Sequence, residues 1–240
     1  GSFGTLTVLT ELSIKVLPKP EISKTLIINN PHVKKALDYL CKSLSSSVDP
    51  SGGVFYPESF EKHFTFNDLT HQGALTGIRI EGPSISVDER IKTLCKELDL
   101  LANEYSILDV EQSNIFWNKT RNLEVFSNTK KNLVRIVVPI SETLNLLQKL
   151  KNIDFSYFLD WGGNLIWFEL NDISIKILNE IREITKQHSG YFTLIKVEED
   201  MKASADIFTI DPIKYKISEK IKKSFDPKRI LNPGKMYTGI

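Results

Sequence analysis

Two short stretches at opposite ends of the chain carry residue types that could meet a ligand. Gly1, Ser2 and Gly4 strip away side-chain bulk and leave backbone amides bare ahead of the β-branched run from Leu6 to Val16. A ligand can approach the main chain closely at such an entry. At the other end Asp226-Pro227 and Asn232-Pro233-Gly234 are strong turn formers, because proline fixes φ and glycine accepts φ above zero. Each stretch also has a plain reading, as a strand start and as a C-terminal loop; their joint occurrence at the two ends is what points to a shared site.

The remaining reactive side chains form no recognisable constellation. His32, His63, His71 and His188 are the only imidazoles, and none stands at metal-ligand spacing, so no metal site is expected. His188 falls at a predicted helix end, where it compensates the helix dipole. His63 and His71 fall in a loop without a partner motif for acid–base work, and no catalytic residue is assigned. Cys41 and Cys95 sit far apart within helical patterns. They read as small buried apolar residues in a reducing compartment rather than as a disulfide, a zinc site or nucleophiles. No glycine-rich dinucleotide or phosphate-loop fingerprint is present.

With 240 residues, 41% of them hydrophobic and 25% charged, the chain can bury one substantial core or two small ones and is not a disordered sequence. Thirty-one basic residues against 30 acidic ones leave a net charge of +1, which gives no case for nucleic acid. The tail departs from that balance, holding Lys214, Lys216, Lys220, Lys222, Lys223, Lys228, Arg229 and Lys235 against Asp211, Glu219 and Asp226; this reads as a solvated helix face. No apolar run reaches the ~20 residues a membrane span requires, and no direct membrane span is expected. The amino end carries no basic-then-apolar leader, although a chain that starts in mid-domain says little of the full product.

The elements that must position these residues follow from periodicity. Leu6 to Val16 alternates like a strand and is broken by Pro18 and Pro20. Thr25 to Ile28 is a strand, and Pro31 to Leu44 a helix with Asn30 as its cap and Val33, Ala36, Leu37, Leu40 and Leu44 on one face. Ala74 to Glu81 is a strand. Val87 to Leu101 is a helix with Ile91, Leu94, Cys95, Leu98 and Leu101 inward, and Ser106 to Val110 a strand. The pattern then repeats: a strand from Asn132 to Pro139, a helix capped by Ser141 to Leu150, and strands Phe155 to Asp160 and Leu165 to Leu170 around Gly162-Gly163. A helix from Ile173 to His188, stopped by Ser189-Gly190, and a strand from Tyr191 to Val197 close the repeat. Pro212 to Phe225 is the last helix, with Ile213, Ile217, Ile221 and Phe225 to be buried against the sheet. The expected class is α+β, helices covering one face of a mainly antiparallel sheet. Its other face is free for a ligand or another domain.

With those elements placed, the segment Phe225 to Met236 resembles the closing segment of FAD-linked oxidases of the vanillyl-alcohol oxidase superfamily, and Gly1 to Glu11 resembles the last strand of their PCMH-type FAD-binding domain. Leu159-Asp160-Trp161-Gly162-Gly163-Asn164-Leu165-Ile166-Trp167 is similar to a hairpin of glycolate oxidase FAD-binding E subunits. The resemblance implies the C-terminal part of such a subunit, with ferredoxin-like halves in its cap. Residues 1–20 would be a remnant of the FAD-binding domain, 21–211 a cap or substrate domain, and 212–240 a segment returning toward the flavin. What precedes that first strand in the family is expected to be missing here, and the region from Asp49 to Thr70 carries no recognised signal.

The resemblance implies FAD as cofactor, with Gly1, Ser2, Gly4 and Val8 along its adenosine half through backbone groups and Asn232 and Lys235 as polar partners. Thr7 stands where the family has glycine, which puts close approach at that position in doubt. It further implies oxidation of a small 2-hydroxy acid such as glycolate, and a hetero-oligomer with a second flavin subunit and an iron–sulfur subunit. The location implied is the cytoplasm, at the inner membrane only through partners, and the chain alone is expected to bind FAD weakly and to be inactive. A non-catalytic interaction module, or a piece of a split or degraded gene, is the alternative. The Trp161-Gly162-Gly163 turn is open to two readings, a plain hairpin and an aromatic wall beside a flavin pocket, and both can hold.

Overall fold

A computed structural model of the chain describes residues 1–29, 32–64, 73–126, 132–171, 174–197, 201, 207–209, 211–236 and 240. Eight strands form one antiparallel sheet in the order β4-β1-β3-β2-β6-β7-β5-β8. They are β1 (Ile22–Asn29), β2 (Gly52–Tyr56), β3 (Leu75–Gly82), β4 (Tyr105–Leu108), β5 (Asn132–Val137), β6 (Phe155–Asp160), β7 (Leu165–Leu170) and β8 (Tyr191–Lys196). Helices α1 (Val33–Ser45), α2 (Ser84–Glu97), α4 (Ile140–Leu150) and α5 (Ile175–Gln187) lie between strands, α3 (Val110–Arg121) links the halves, and α6 (Pro212–Phe225) follows the sheet.

The first four strands with α1 and α2, and the last four with α4 and α5, each run strand-helix-strand-strand-helix-strand and each order their strands alike, so the sheet is two ferredoxin-like halves side by side. The halves meet through a single register pair, Phe55 with Leu159.

Strand alternation sorts the residues into two layers. Ile78, Ile80, Val134, Ile136, Leu159, Ile166 and Phe168 point to the face covered by α1, α2, α4 and α5, where Leu40, Leu94, Leu146 and Leu178 complete the main core. On the opposite face Val54, Tyr56 and Phe158 pack with Phe116 of α3 and with Phe60, Phe64 and Phe126. The Tyr56 ring stacks on Phe158 at 4.7 Å, next to the Phe55–Leu159 pair. Its hydroxyl donates to Thr120 Oγ1 at 3.1 Å, and burial pushes that hydroxyl's pKa far up.

Several expectations are corrected. Among the described residues Leu6 to Val16 pairs with no strand, and Val8, Leu9, Leu12, Ile14 and Val16 are exposed; alternation supplies strand propensity but not a partner for the ladder. Asn30 and Pro31 lie outside the described residues, and His32 precedes α1 without a side-chain cap. The second helix ends at Glu97, and Asp99 at φ 53° turns the chain so that Leu101 is exposed. Pro139, not Ser141, stands at the N-cap of α4. Cys41 is exposed while Cys95 is buried, and burial raises the Cys95 thiol pKa. On α6 the apolar residues Ile213, Ile217, Ile221 and Phe225 are all exposed, and Lys222 is the buried one.

Phe158→Ala removes the ring that closes the seam between halves and is expected to cost ~3–5 kcal/mol, the range for a buried aromatic replaced by alanine. Urea unfolding checks this. A loss below about 1 kcal/mol would show that the stack does not hold the halves together.

Candidate functional site

On the sheet face left open by the paired helices lies a cavity of about 830 Å³. Arg79 and Arg135 reach it from the middle of β3 and β5, at the alternate positions opposite Ile78, Ile80, Val134 and Ile136. Trp117, Trp161 and Trp167, the only tryptophans of the chain, also line it.

Each wall has a local cause. Trp117 lies on α3, whose start is fixed by a capping box: Asp109 accepts from the Gln112 amide and the Gln112 side chain from the Asp109 amide. Its indole donates to Thr25 Oγ1 at 2.8 Å. Gly52 leaves room for the ring, since a Cβ there would stand 2.9 Å from it. The Arg79 guanidinium lies over Trp117 at 4.8 Å, and its Nε and Nη2 donate to Ser51 Oγ and O at 3.0 and 3.2 Å. The Ser51 loop is itself pinned by Arg90, which donates to the Val48 and Glu81 carbonyls at 2.7 and 2.8 Å.

Trp161 is held in a less ordinary way. It adopts φ 51°, followed by Gly162 at 66° and Gly163 at 99°; a left-handed backbone is uncommon for so bulky a residue and clusters at functional sites. The Asp160 carboxylate accepts from the Trp161 amide at 2.7 Å and Thr143 donates to the Gly163 carbonyl at 2.7 Å, which fixes the turn. Trp161 nevertheless remains 55% exposed. Arg135 lies over the Trp161 ring at 4.7 Å and over Trp167 at 6.0 Å. Among the described residues no hydrogen bond or ion pair ties Arg135 down.

Asp160 is the one carboxylate among the described residues of the cavity wall. Burial raises its pKa, while the Trp161 amide, the Trp167 indole and then Arg79 and Arg135 pull it the other way. The Trp167 N–H lies near Asp160 without closing a hydrogen bond of normal geometry. Arg79 directs Nε and Nη2 to Ser51 and stands 3.4 Å from the Glu81 carboxylate, whereas stacking leaves the N–H edges of Arg135 open to a carboxylate or phosphate, so Arg135 is the group placed to take an anion.

None of the six residues singled out from the sequence lines this cavity. Three of them, Ser2, Gly4 and Asn232, belong instead to the meeting of the two chain ends. Asn232 Nδ2 donates to the Phe3 carbonyl at 3.0 Å, and Gly4, at φ 73°, leaves the space that amide fills, for a Cβ would be 2.6 Å from it. Fully buried Lys222 donates to the Thr5 and Leu231 carbonyls at 2.7 and 2.9 Å and pairs with Asp226 at 2.7 Å. Thr5 Oγ1 donates to the Ser2 carbonyl at 2.7 Å, and the Phe3 ring meets Phe208 at 5.3 Å. Gly1, Val8 and Lys235 are exposed, outside the clasp.

His32 and His63 are exposed, and His188, at the end of α5, pairs with Glu142 of α4 at 2.7 Å, which lowers the Glu142 pKa. His71 lies outside the described residues. Among the described residues no group of His, Cys, Asp and Glu could hold a metal ion, and no helix is long and apolar enough to cross a membrane.

Residues 208–236, the stretch that carries the clasp, match the model of the FAD linked oxidases, C-terminal domain. The chain is 25% identical to glycolate oxidase subunit GlcD of Bacillus subtilis (strain 168) over 261 residues, and 25% identical to glycolate oxidase subunit GlcE of Escherichia coli (strain K12) over 243. The chain is related to the FAD-linked oxidases. FAD is the cofactor that this family's name carries. These matches cover 99% and 100% of the chain but 56% of each relative, so the chain spans about half their length. The fold agrees: p-cresol methylhydroxylase with substrate bound superposes with a TM-score of 0.62 at 12% identity, over 93% of this chain and 54% of that one.

At the chain ends Gly1 and Gly4 leave main chain exposed and Lys235 is an exposed cation, groups of the kind that meet a phosphate, while the space beside Gly4 is already taken by the Asn232 amide.

The clasp has a definite acid sensitivity. Hydrogen bonds first from Lys222 and then from the Leu231 amide hold the Asp226 pKa down to about 2, against about 3.9 in an unfolded chain. A depressed carboxylate stabilises above its unfolded value and loses that contribution as pH falls from about 4 through about 2. Asp226→Asn should therefore melt below the parent chain at pH 7 and converge with it toward pH 2. A difference in melting temperature that is the same at pH 7 and pH 2 would rule this role out.

Proposed function

We propose that this chain is the substrate-holding half of an FAD-dependent oxidoreductase that oxidises a small 2-hydroxy acid, the class to which the glycolate of its relatives' names belongs. The observation that carries the reading is the convergence of Arg79 and Arg135, each laid against tryptophan, on one open cavity. In this reading Arg135 orients the substrate carboxylate, Arg79 adds positive charge to the same wall, and the tryptophan walls keep water from the carbon that loses hydride. Bound FAD supplies the hydride acceptor.

The same reading assigns residues 1–20 to the edge of an FAD-binding domain, 21–211 to the cap and 212–240 to the return segment. Main chain at Gly1, Ser2, Gly4 and Val8 then lies along the adenosine half, with Asn232 and Lys235 as polar partners. The exposed stripe Ile213, Ile217, Ile221 and Phe225, with the exposed run from Val8 to Leu17, suits docking against such a domain. A second flavin subunit and an iron–sulfur subunit are the proposed partners, in the cytoplasm or against the inner membrane through them.

Tryptophan emission reports on the cavity, so titration of the purified chain tests the reading. Glycolate should quench it saturably while neutral ethylene glycol does not, and Arg135→Gln should weaken the acid at least roughly tenfold, as expected for loss of a charge-assisted contact. FAD at micromolar concentration should bind weakly or not at all. An equal response to acid and diol would remove the carboxylate site, and tight stoichiometric FAD binding would overturn the expectation that the chain is inactive alone.

A further inference from the structure

We infer that the acid taken by this cavity carries a flat apolar side chain about the size of one aromatic ring, rather than ending at its second carbon. The inference rests on the carboxylate reading of the site and deepens it. A cavity of about 830 Å³ lies in the range that encloses ligands of many heavy atoms, roughly 300–1,000 Å³. A two-carbon acid bound at Arg135 would leave most of it filled with water.

The chemistry of the walls is divided in the same sense. The cations sit against Trp117, Trp161 and Trp167, while Leu44, Trp161 and Ile195 on the lining are 47%, 55% and 48% exposed. The Trp161 backbone is held left-handed, Leu44 packs over Gly162, where a Cβ would be 2.3 Å from it, and Ile195 falls where the β5–β8 register shifts. These half-exposed apolar surfaces share one lining with Arg79 and Arg135. A ligand with an anionic head and a flat apolar body satisfies both at once: its carboxylate meets Arg135, its ring covers Trp161, and burial of that surface drives binding.

The test compares three probes on the full chain by tryptophan quenching, backed by calorimetry: 3-phenyllactate, glycolate and the neutral 3-phenylpropane-1,2-diol. Phenyllactate should bind at least tenfold more tightly than glycolate, and the diol should not saturate. Trp161→Ala should erase the preference for phenyllactate, and Leu44→Ser, a change at a half-exposed position, should reduce it; circular dichroism confirms that both variants are folded. Phenyllactate within threefold of glycolate, with both acids still dependent on Arg135, overturns the inference and leaves the carboxylate site standing. A chain that binds neither acid, or binds the diol as well as the acid, removes the carboxylate site and the inference together.

Discussion

Everything in this molecule depends on a narrow seam. The two four-stranded halves share a single register pair, Phe55 with Leu159, where a sheet of this width would ordinarily run a longer ladder. Hydrogen bonding there is too sparse to fix the angle between halves. The rings take that role: Tyr56 on Phe158 at 4.7 Å and Phe126 on Phe158 at 5.6 Å cross the seam on the side away from the paired helices, and Phe64 backs Tyr56 at 4.4 Å. Because Arg79 comes from the first half and Arg135 from the second, the geometry of the anion site is set by how those rings interdigitate.

The same economy explains why the cavity is where it is. Helices α1, α2, α4 and α5 all cover one face, while α3 and the turns around Phe60 and Phe126 cover only part of the other. The uncovered part is filled by side chains that tolerate water on one side and rings on the other. Asp160 belongs to this arrangement: its carboxylate fixes the Trp161 amide, and the nearby guanidiniums favour its charge against the cost of burial.

Much of the fold was legible because its repeated strands and helices have strong, clean periods. The two passes of strand, helix and strand, the Gly162-Gly163 turn and the nearness of Asn232 to Phe3 follow from local pattern and resemblance. What stayed hidden has physical reasons. Helix α3 buries only Ser113, Phe116 and Thr120, too few for an apolar stripe, although its Asp109-x-x-Gln112 box was in plain view. The short strand β2 opens on Gly52-Gly53, residues that disfavour strands in isolation. Arg79 and Arg135 were readable as charges at mid-strand positions out of phase with the core, a signal that net charge averages away. The stripe on α6 misled for the opposite reason: its spacing is that of a buried helix face, but spacing cannot say what covers it, and the buried residue is Lys222.

That lysine has a consequence for the architecture of the chain as a segment. By joining the Thr5 carbonyl to Asp226 and Leu231, it ties the segment ahead of the first strand to the segment after the last helix. Closing a loop of 217 residues costs little more than closing a shorter one, so one buried ammonium can hold both flanks of the sheet together.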